Sequence, residues 1–405
     1  MPQTEYLVKA RSRSGRLVES KLKAVSEAEA LNRIKQMGMT PIAVEIANSG
    51  FKKEIRFGKG RVKLKDLAIL SRQFATMLSS GLPILRCLAI LAEQTESARL
   101  GELVVEVRDE VEKGDSLSEA FSHHKEFPPL MVSMVKAGET GGFLDTTMLE
   151  VADSFEADVR LRGKIKAALT YPIAVGAIAV LITTGMLIFV VPVFAQLFDA
   201  FGGELPLPTR ILVAVSNVVK SPYFLVPVIG GTIAFVVWYR RNKTSPKVRA
   251  FVDPMKFKLP VFGKLFQKVA LARFTRNFGT LMRAGVPILT ALDIVGDTSG
   301  NVVISRAVAD VKESVRQGTG IAKPLSEHPV FPDMVVQMIA VGEDTGALDT
   351  MLSKIADFYD QEVEATTEQL MALIEPLMIV VLGAVVGGMI VAMYLPIFKI
   401  FELIK

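Results

Sequence analysis

The stretch TMLSSGLPILRCLAIL begins at Thr76 and TLMRAGVPILTALDIV begins at Thr280, an offset of 204 residues. Between residues 67 and 90, eleven of 24 positions match their counterparts at that offset, including Arg72/Arg276, Phe74/Phe278, Gly81/Gly285, Pro83/Pro287 and Leu88/Leu292. The register holds through a second block, FPPLMVSMVKAGETGGFLDT from Phe127 against FPDMVVQMIAVGEDTGALDT from Phe331. It persists into the most apolar part of the chain, where Pro172 pairs with Pro376 and VPVF at Val191 with LPIF at Leu395. Whatever one copy folds into, the other must also fold into, so the chain is built from one unit used twice.

That unit includes a membrane segment. Half of the 405 residues are hydrophobic and the mean hydropathy is +0.38, too apolar for an ordinary water-soluble chain of this size. Three runs without charge account for the excess: 167–198, 221–239 and, in the second copy, 376–398. About 20 apolar residues in helix cross the hydrocarbon core of a bilayer. The first 20 residues lack the apolar core of a cleaved signal peptide, which predicts a cytoplasmic N-terminus. Arg160, Arg162, Lys164 and Lys166 precede the first span, and Arg240, Arg241, Lys243, Lys247 and Arg249 follow the second. Lys and Arg collect on the cytoplasmic side of short loops, so both large segments are expected inside and the C-terminus outside. The middle span has no counterpart in the repeat; it returns the chain so that both copies run in parallel.

The expected organisation follows. Residues 1–48 form a small basic α+β domain and 49–65 a basic linker. A first cytoplasmic helical bundle covers 66–166, a span 167–198, an extracytoplasmic loop 199–220 and a second span 221–239. A second bundle with its leading linker covers 240–371, the third span 372–398 and an outside tail 399–405. The fold class is mainly α. In LKDLAILSRQFATMLSSG, Leu67, Ile69, Leu70, Phe74, Met77 and Leu78 recur at helical spacing. Gly81 with Pro83, and Gly285 with Pro287, then break the chain, glycine supplying positive φ and proline refusing the helix interior. Ser116 and Glu119 read as a capping box. Gly138 reads as a helix C-cap, and with Gly142, Gly342 and Gly346 it marks a repeated glycine turn. Each segment holds roughly five or six short helices, which pack naturally as a bundle. The N-terminal residues differ in kind: EYLVKARSRSGRLVESKLKA alternates like two strands around a Ser-Gly turn, SEAEALNRIKQMG reads as a helix ending at Gly38, and TPIAVEI as a strand. Residues 1–65 carry fifteen Lys/Arg against six Asp/Glu, a tether suited to anionic lipid.

Two copies of GxPIL, each followed by an FP element and a GE(T/D)xG turn, with three spans in this order, resemble the type II secretion system F family. The resemblance runs from about residue 66 to the end, and the basic N-terminal domain is similar to that of full-length members. It implies a six-helix bundle fold and a non-enzymatic platform in the bacterial inner membrane. Such a platform couples a cytoplasmic hexameric ATPase to insertion of pilins or pseudopilins into a filament. It also works beside other inner-membrane assembly proteins and as a homo-oligomer. A type IV pilus is favoured over a secretion or DNA-uptake pseudopilus, and nucleic acid is not an expected partner.

The residues offer little chemistry that competes with this. No G-x-x-x-x-G-K-[ST] phosphate loop is present. His123, His124 and His328 lack metal-ligand spacing with cysteine or with each other across a helical turn. Cys87 is the single cysteine, and Ala291 stands at the equivalent position. No cofactor or metal is expected. Glu139 and Glu343 have two readings: contacts to the motor, or carboxylates that bond backbone N–H groups at a helix start. In the spans, Gly383 and Gly387 form a G-x-x-x-G matched by Ala179 and Thr183, spacing that lets helices approach closely. A transporter or channel subunit is the alternative class, since internal repeats are common there. Against it, the spans are almost devoid of ionisable groups, with Glu375 at a cytoplasmic edge.

Overall fold

A computed structural model describes residues 4–11, 17–24, 40–46, 61–200, 205–242, 245–260 and 262–403. The chain divides into two compact units, Met1–Arg61 and Val62–Lys405.

In the first unit, β1 (Thr4–Arg11), β2 (Leu17–Ala24) and β3 (Thr40–Ile46) form an antiparallel sheet in the order β2-β1-β3. β1 pairs with β2 from Thr4↔Ala24 to Arg11↔Leu17, and with β3 across an irregularity between Lys9 and Ala10. Pro41 sits in β3, an edge strand, where the missing N–H breaks no inner ladder. The Ser-Gly turn, the helix ending at Gly38 and most of the basic linker lie outside the described residues.

The second unit holds the duplication. Bundle one consists of α1 (Leu64–Ser79), α2 (Ile84–Gln94), α3 (Ala98–Lys113), α4 (Leu117–Ser122), α5 (Pro129–Gly141) and α6 (Leu144–Gly185). A π-helical turn (Met186–Val190) and α7 (Val191–Ala200) continue α6. After α8 (Leu207–Lys220), α9 (Pro222–Asn242) and α10 (Pro246–Lys258), bundle two repeats the six with α11 (Phe262–Arg283), α12 (Ile288–Thr298), α13 (Val302–Arg316), α14 (Ala322–Ser326), α15 (Asp333–Thr345) and α16 (Leu348–Leu403). Phe74, Leu88, Leu103, Met131 and Met148 are fully buried in bundle one, as are Phe278, Leu292, Val335 and Leu352 in bundle two. Each pattern places its apolar residues on one helical face, which burial against the other helices stabilises. Ile69 departs from that pattern: it belongs to the apolar series of α1 yet is exposed.

α6 and α16 run unbroken from bundle into span, the path that the helical stretch LDTTMLEVADSFEADVRLRGKIK before the first charge-free run also implies. At 1.5 Å per residue, the 56 residues of α16 extend roughly 84 Å. Among the described residues, three helices are long and apolar enough to cross a membrane: α6 with its continuation to Leu197, α9 and α16.

The expected loop at 199–220 is largely the helix α8. Its buried Thr209 and Ser216 donate hydroxyl bonds to the carbonyls of Ala392 in α16 and Leu187 in the π-turn. Its exposed side carries Leu207, Ile211, Val215 and Val218 together with Arg210, Asn217 and Lys220. Large apolar side chains set among basic and polar ones on the exposed side are the pattern of a helix at a membrane interface. The leading linker of bundle two likewise contains α10, whose buried Asp253 binds Lys256 at 2.9 Å and accepts from the Val302 amide at the start of α13 at 3.2 Å.

Candidate functional site

The duplicated motifs converge in each bundle on the joint where α5 turns into α6, and in the second copy where α15 turns into α16. α5 ends at Gly141 and is capped by Gly142, whose φ is +76°; α15 ends at Thr345 and is capped by Gly346, at +70°. Gly138 and Gly342 are therefore not caps, because each lies inside its helix, one turn before the end. Their role is close packing. A Cβ on Gly138 would stand 2.2 Å from Thr147 Oγ1 and 2.8 Å from Leu144 Cα, and one on Gly342 would stand 3.0 Å from Leu348 Cα. Only glycine lets the long helix fold back against its predecessor at this distance. Gly81 and Gly285, before Pro83 and Pro287, hold φ of +80° and +71° with nothing within 4 Å of an added Cβ, so conformation alone favours glycine there.

Glu139 and Glu343 sit in the last turn of α5 and α15, beside these glycines. Each carboxylate points into its bundle. Glu139 accepts from the amides of Leu117 at 2.5 Å and Ser118 at 3.0 Å. Glu343 accepts from the amides of Ile321 and, at 2.8 Å, Ala322. These are orphan donors at the N-termini of α4 and α14, where the helix dipole favours an anion. Ser116 accepts from the Glu119 amide at 3.1 Å, which is one half of the expected capping box, and Glu139 takes the two amides between them. The arrangement joins α4 to α5 within the bundle and does not present a free carboxylate to a partner.

A second constellation repeats higher on the long helices. Arg72 in α1 binds Glu156 at 2.7 Å and also Asp153, both on α6. At the same offset, Arg276 in α11 binds Asp360 at 2.8 Å and Asp357 at 3.6 Å on α16. The Arg72 hydrogen bond holds the Glu156 carboxyl below its usual range. Each long helix is thus clamped to the first helix of its own bundle before it leaves for the span.

The two bundles meet along a polar seam. Arg273 of α11 binds Asp158 of α6 at 2.9 Å, Arg283 binds Glu150 at 2.8 Å, and Ser154 donates to Asn277 at 3.4 Å. Burial in this seam lowers the Arg273 pKa, and Asp158 opposes that effect. Nearer the membrane, Lys164 reaches Glu364 at 2.6 Å. In the spans, Ala179 and Thr183 line a groove facing Leu377, Val381 and Val385 of α16. Gly383 and Gly387 stand clear of it, with nothing within 4 Å of an added Cβ, so the G-x-x-x-G is not the contact between these two spans within one chain.

His124 and His328 again occupy matched places, facing Glu106 and Asp310 at 3.5 Å. Sequence spacing missed one grouping: Glu110, Asp115 and His123 converge among the described residues because α3 and the end of α4 lie side by side. Glu110 binds His123 at 3.0 Å and raises its pKa. Ser314, Thr319 and Glu327 take the equivalent places, so this trio is not part of the duplicated design. Cys87 is buried, with burial pushing its thiol pKa up.

The duplicated joints and clamps coincide with what comparison with known proteins finds. The model of the family described as type II secretion system (T2SS), protein F, matches residues 70–192 and again 274–396, together more than half of the chain. The chain belongs to the type II secretion system protein F family. The N-terminal domain model of the same family covers residues 1–45, which include β1, β2 and all but the last residue of β3. Among relatives, the chain is 44% identical to a type IV pilus assembly protein PilC of Thermus thermophilus, over 99% of this chain and 98% of that protein. It is 42% identical to the PilC of Myxococcus xanthus, over 98% and 95%, and 32% identical to a type II secretion system protein F of Xanthomonas campestris, over 98% of both. The two matched blocks of this F-family chain start at Leu70 and Phe274, so the family unit and the internal repeat share one register.

Proposed function

We propose that this chain is the inner-membrane platform of a type IV pilus assembly machine. It receives work from a cytoplasmic ATPase and passes it to pilin subunits entering the filament. The continuity of α6 and α16 carries this reading: each leaves a clamped bundle and enters a span with no flexible joint. A displacement imposed on either bundle reaches the membrane through one rigid element. The pilus assembly relatives, at 39–44% identity, favour a pilus over a secretion pseudopilus. In this reading the N-terminus and both bundles are cytoplasmic and the C-terminus is outside. The motor engages bundle surfaces other than the inward-turned carboxylates of Glu139 and Glu343. α8, with Leu207, Ile211, Val215 and Val218 exposed beside Arg210 and Lys220, lies at the interface of the outer leaflet.

The test is deletion of the gene with complementation in its own host, scoring surface filaments and secreted proteins separately. Filaments should vanish and return with the wild-type chain, while secretion continues. Lost secretion with intact filaments would assign the platform to a secretion system.

A further inference from the structure

α10 belongs neither to the repeat nor to a span. The 204-residue offset sets its first residues against β3, and both matched family blocks leave it out. Its inner side is tied down: buried Asp253 binds Lys256 at 2.9 Å and Arg249 at 3.7 Å and accepts from the Val302 amide of α13, while Phe257 packs on the bundle core. Its exposed residues after Pro246 form one stripe, Lys247, Phe251, Met255 and Lys258, continued by Leu259 at the C-cap. Steps of four and three residues keep a stripe on one helical face. Phe251 is 73% and Met255 57% exposed. Isolated surface hydrophobes are ordinary; the place and the charge of this stripe set it apart.

Both ends of α10 are held at the level of the membrane. Pro246 follows Asn242, the end of the span α9, by four residues, a reach of at most about 14 Å when fully extended. At the other end α10 leads into α11, which runs antiparallel to α16: Arg283 bonds Ser353, Arg276 binds Asp360, and Lys268 binds Glu362 and Thr366. Followed back from Lys268 to Phe262, about 9 Å along the helix, that register reaches the level of Ala372, at the edge of the charge-free run from 376. A helix about 20 Å long, held at both ends beside spans, lies along the bilayer surface. The charge suits that place. From Arg240 to Lys268 the chain carries nine Lys/Arg against one acid, Asp253, which is buried and paired.

We propose that α10 is an interfacial helix seated on the inner leaflet. Phe251 and Met255 enter the boundary of the acyl chains, and Lys247 and Lys258 reach the anionic headgroups beside them. The leaflet rests on the orientation of the spans proposed above; the seating of α10 in lipid does not. Large apolar groups flanked by lysines are what such a helix presents to a bilayer, and an anionic surface attracts each basic residue near it. The Asp253 bond to the start of α13 then fastens bundle two to the lipid surface.

The test uses the full-length chain with Cys87→Ala, alanine being the residue of the second copy, and a single spin-labelled cysteine, in vesicles of phosphatidylcholine and phosphatidylglycerol. Labels at Phe251→Cys and Met255→Cys should collide with oxygen in preference to a water-soluble nickel complex, by at least about tenfold relative to Gln317→Cys at the far end of α13. In phosphatidylcholine alone, or with Lys247→Gln and Lys258→Gln, that preference should fall about fivefold or more. Labels at 251 and 255 that behave like the one at 317 would overturn the proposal, and their protection in cells would then assign the stripe to a protein. An undiminished preference without phosphatidylglycerol would overturn the choice of headgroup. Labelling of Gln317→Cys from outside intact cells by a membrane-impermeant maleimide would overturn the orientation, and with it the inner leaflet, even where 251 and 255 report hydrocarbon.

Discussion

Replacing Glu139 by alanine removes two charge-assisted bonds to the Leu117 and Ser118 amides, and both of those residues are buried, so water cannot take the place of the carboxylate freely. A bond to a charged group contributes about 1.5–3 kcal/mol, and a typical cap about 1 kcal/mol. The hydroxyl of Ser116 still holds the Glu119 amide, which leaves part of the cap in place. We therefore expect a loss of about 2–4 kcal/mol for Glu139→Ala, and about half of that for Glu139→Gln, which keeps one acceptor oxygen. Glu343→Ala should cost a similar amount in the other bundle, and the two losses should add because the sites share no partner. Thermal unfolding of the purified full-length protein in detergent, followed by circular dichroism, should show midpoints lower by about 5–10 °C. An unchanged midpoint for Glu139→Ala, combined with lost filaments at normal protein level, would refute the capping argument and return the carboxylate to a partner contact.

Gly138→Ala should destabilise bundle one by about 1–3 kcal/mol through overpacking against Thr147 and Leu144, and more than Gly342→Ala destabilises bundle two, as denaturant titration would show. Glu156 has a pKa lowered by Arg72, so its contribution is present above about pH 4.5 and lost as the pH falls through the depressed value; Glu156→Gln should flatten the stability profile in that acid range. Cysteines at Ile211 or Val215 should resist a membrane-impermeant maleimide in intact cells, and an environment-sensitive probe there should report hydrocarbon; rapid labelling would place α8 in water.

The duplication made most of this fold legible, because any motif found twice at one offset had to be structural. The positive φ values at Gly81 and Gly285 and the helical path of LDTTMLEVADSFEADVRLRGKIK toward the membrane follow from local chemistry alone. Gly138 was misread because a glycine one turn before a helix end looks like a cap; what it meets, Thr147 and Leu144, lies beyond the turn and is a tertiary fact. The segment at 199–220 read as a loop because its charges and prolines mark an aqueous connection. Only the hydroxyl bonds of Thr209 and Ser216 to the spans reveal which side faces inward. Ile69 fitted the helical apolar series yet is exposed, because helical spacing does not say how wide the buried face of α1 is. The trio at His123 escaped notice because its members come from α3, the connection that follows it and the end of α4, which only the fold brings together.

The account rests on rigid transmission from bundle to span, and a flexible insertion tests that most directly. Three glycines inserted after Lys166 in α6, and separately after Met371 in α16, break each helix where it nears the membrane and leave the ion-pair clamps intact. Glycine costs about 1 kcal/mol per residue in a helix, enough to uncouple the two halves without unfolding a packed bundle. Filaments counted by electron microscopy, with the protein's membrane level measured in the same cells, should fall to background at normal abundance. Full-length filaments in normal number from both insertions would contradict the account.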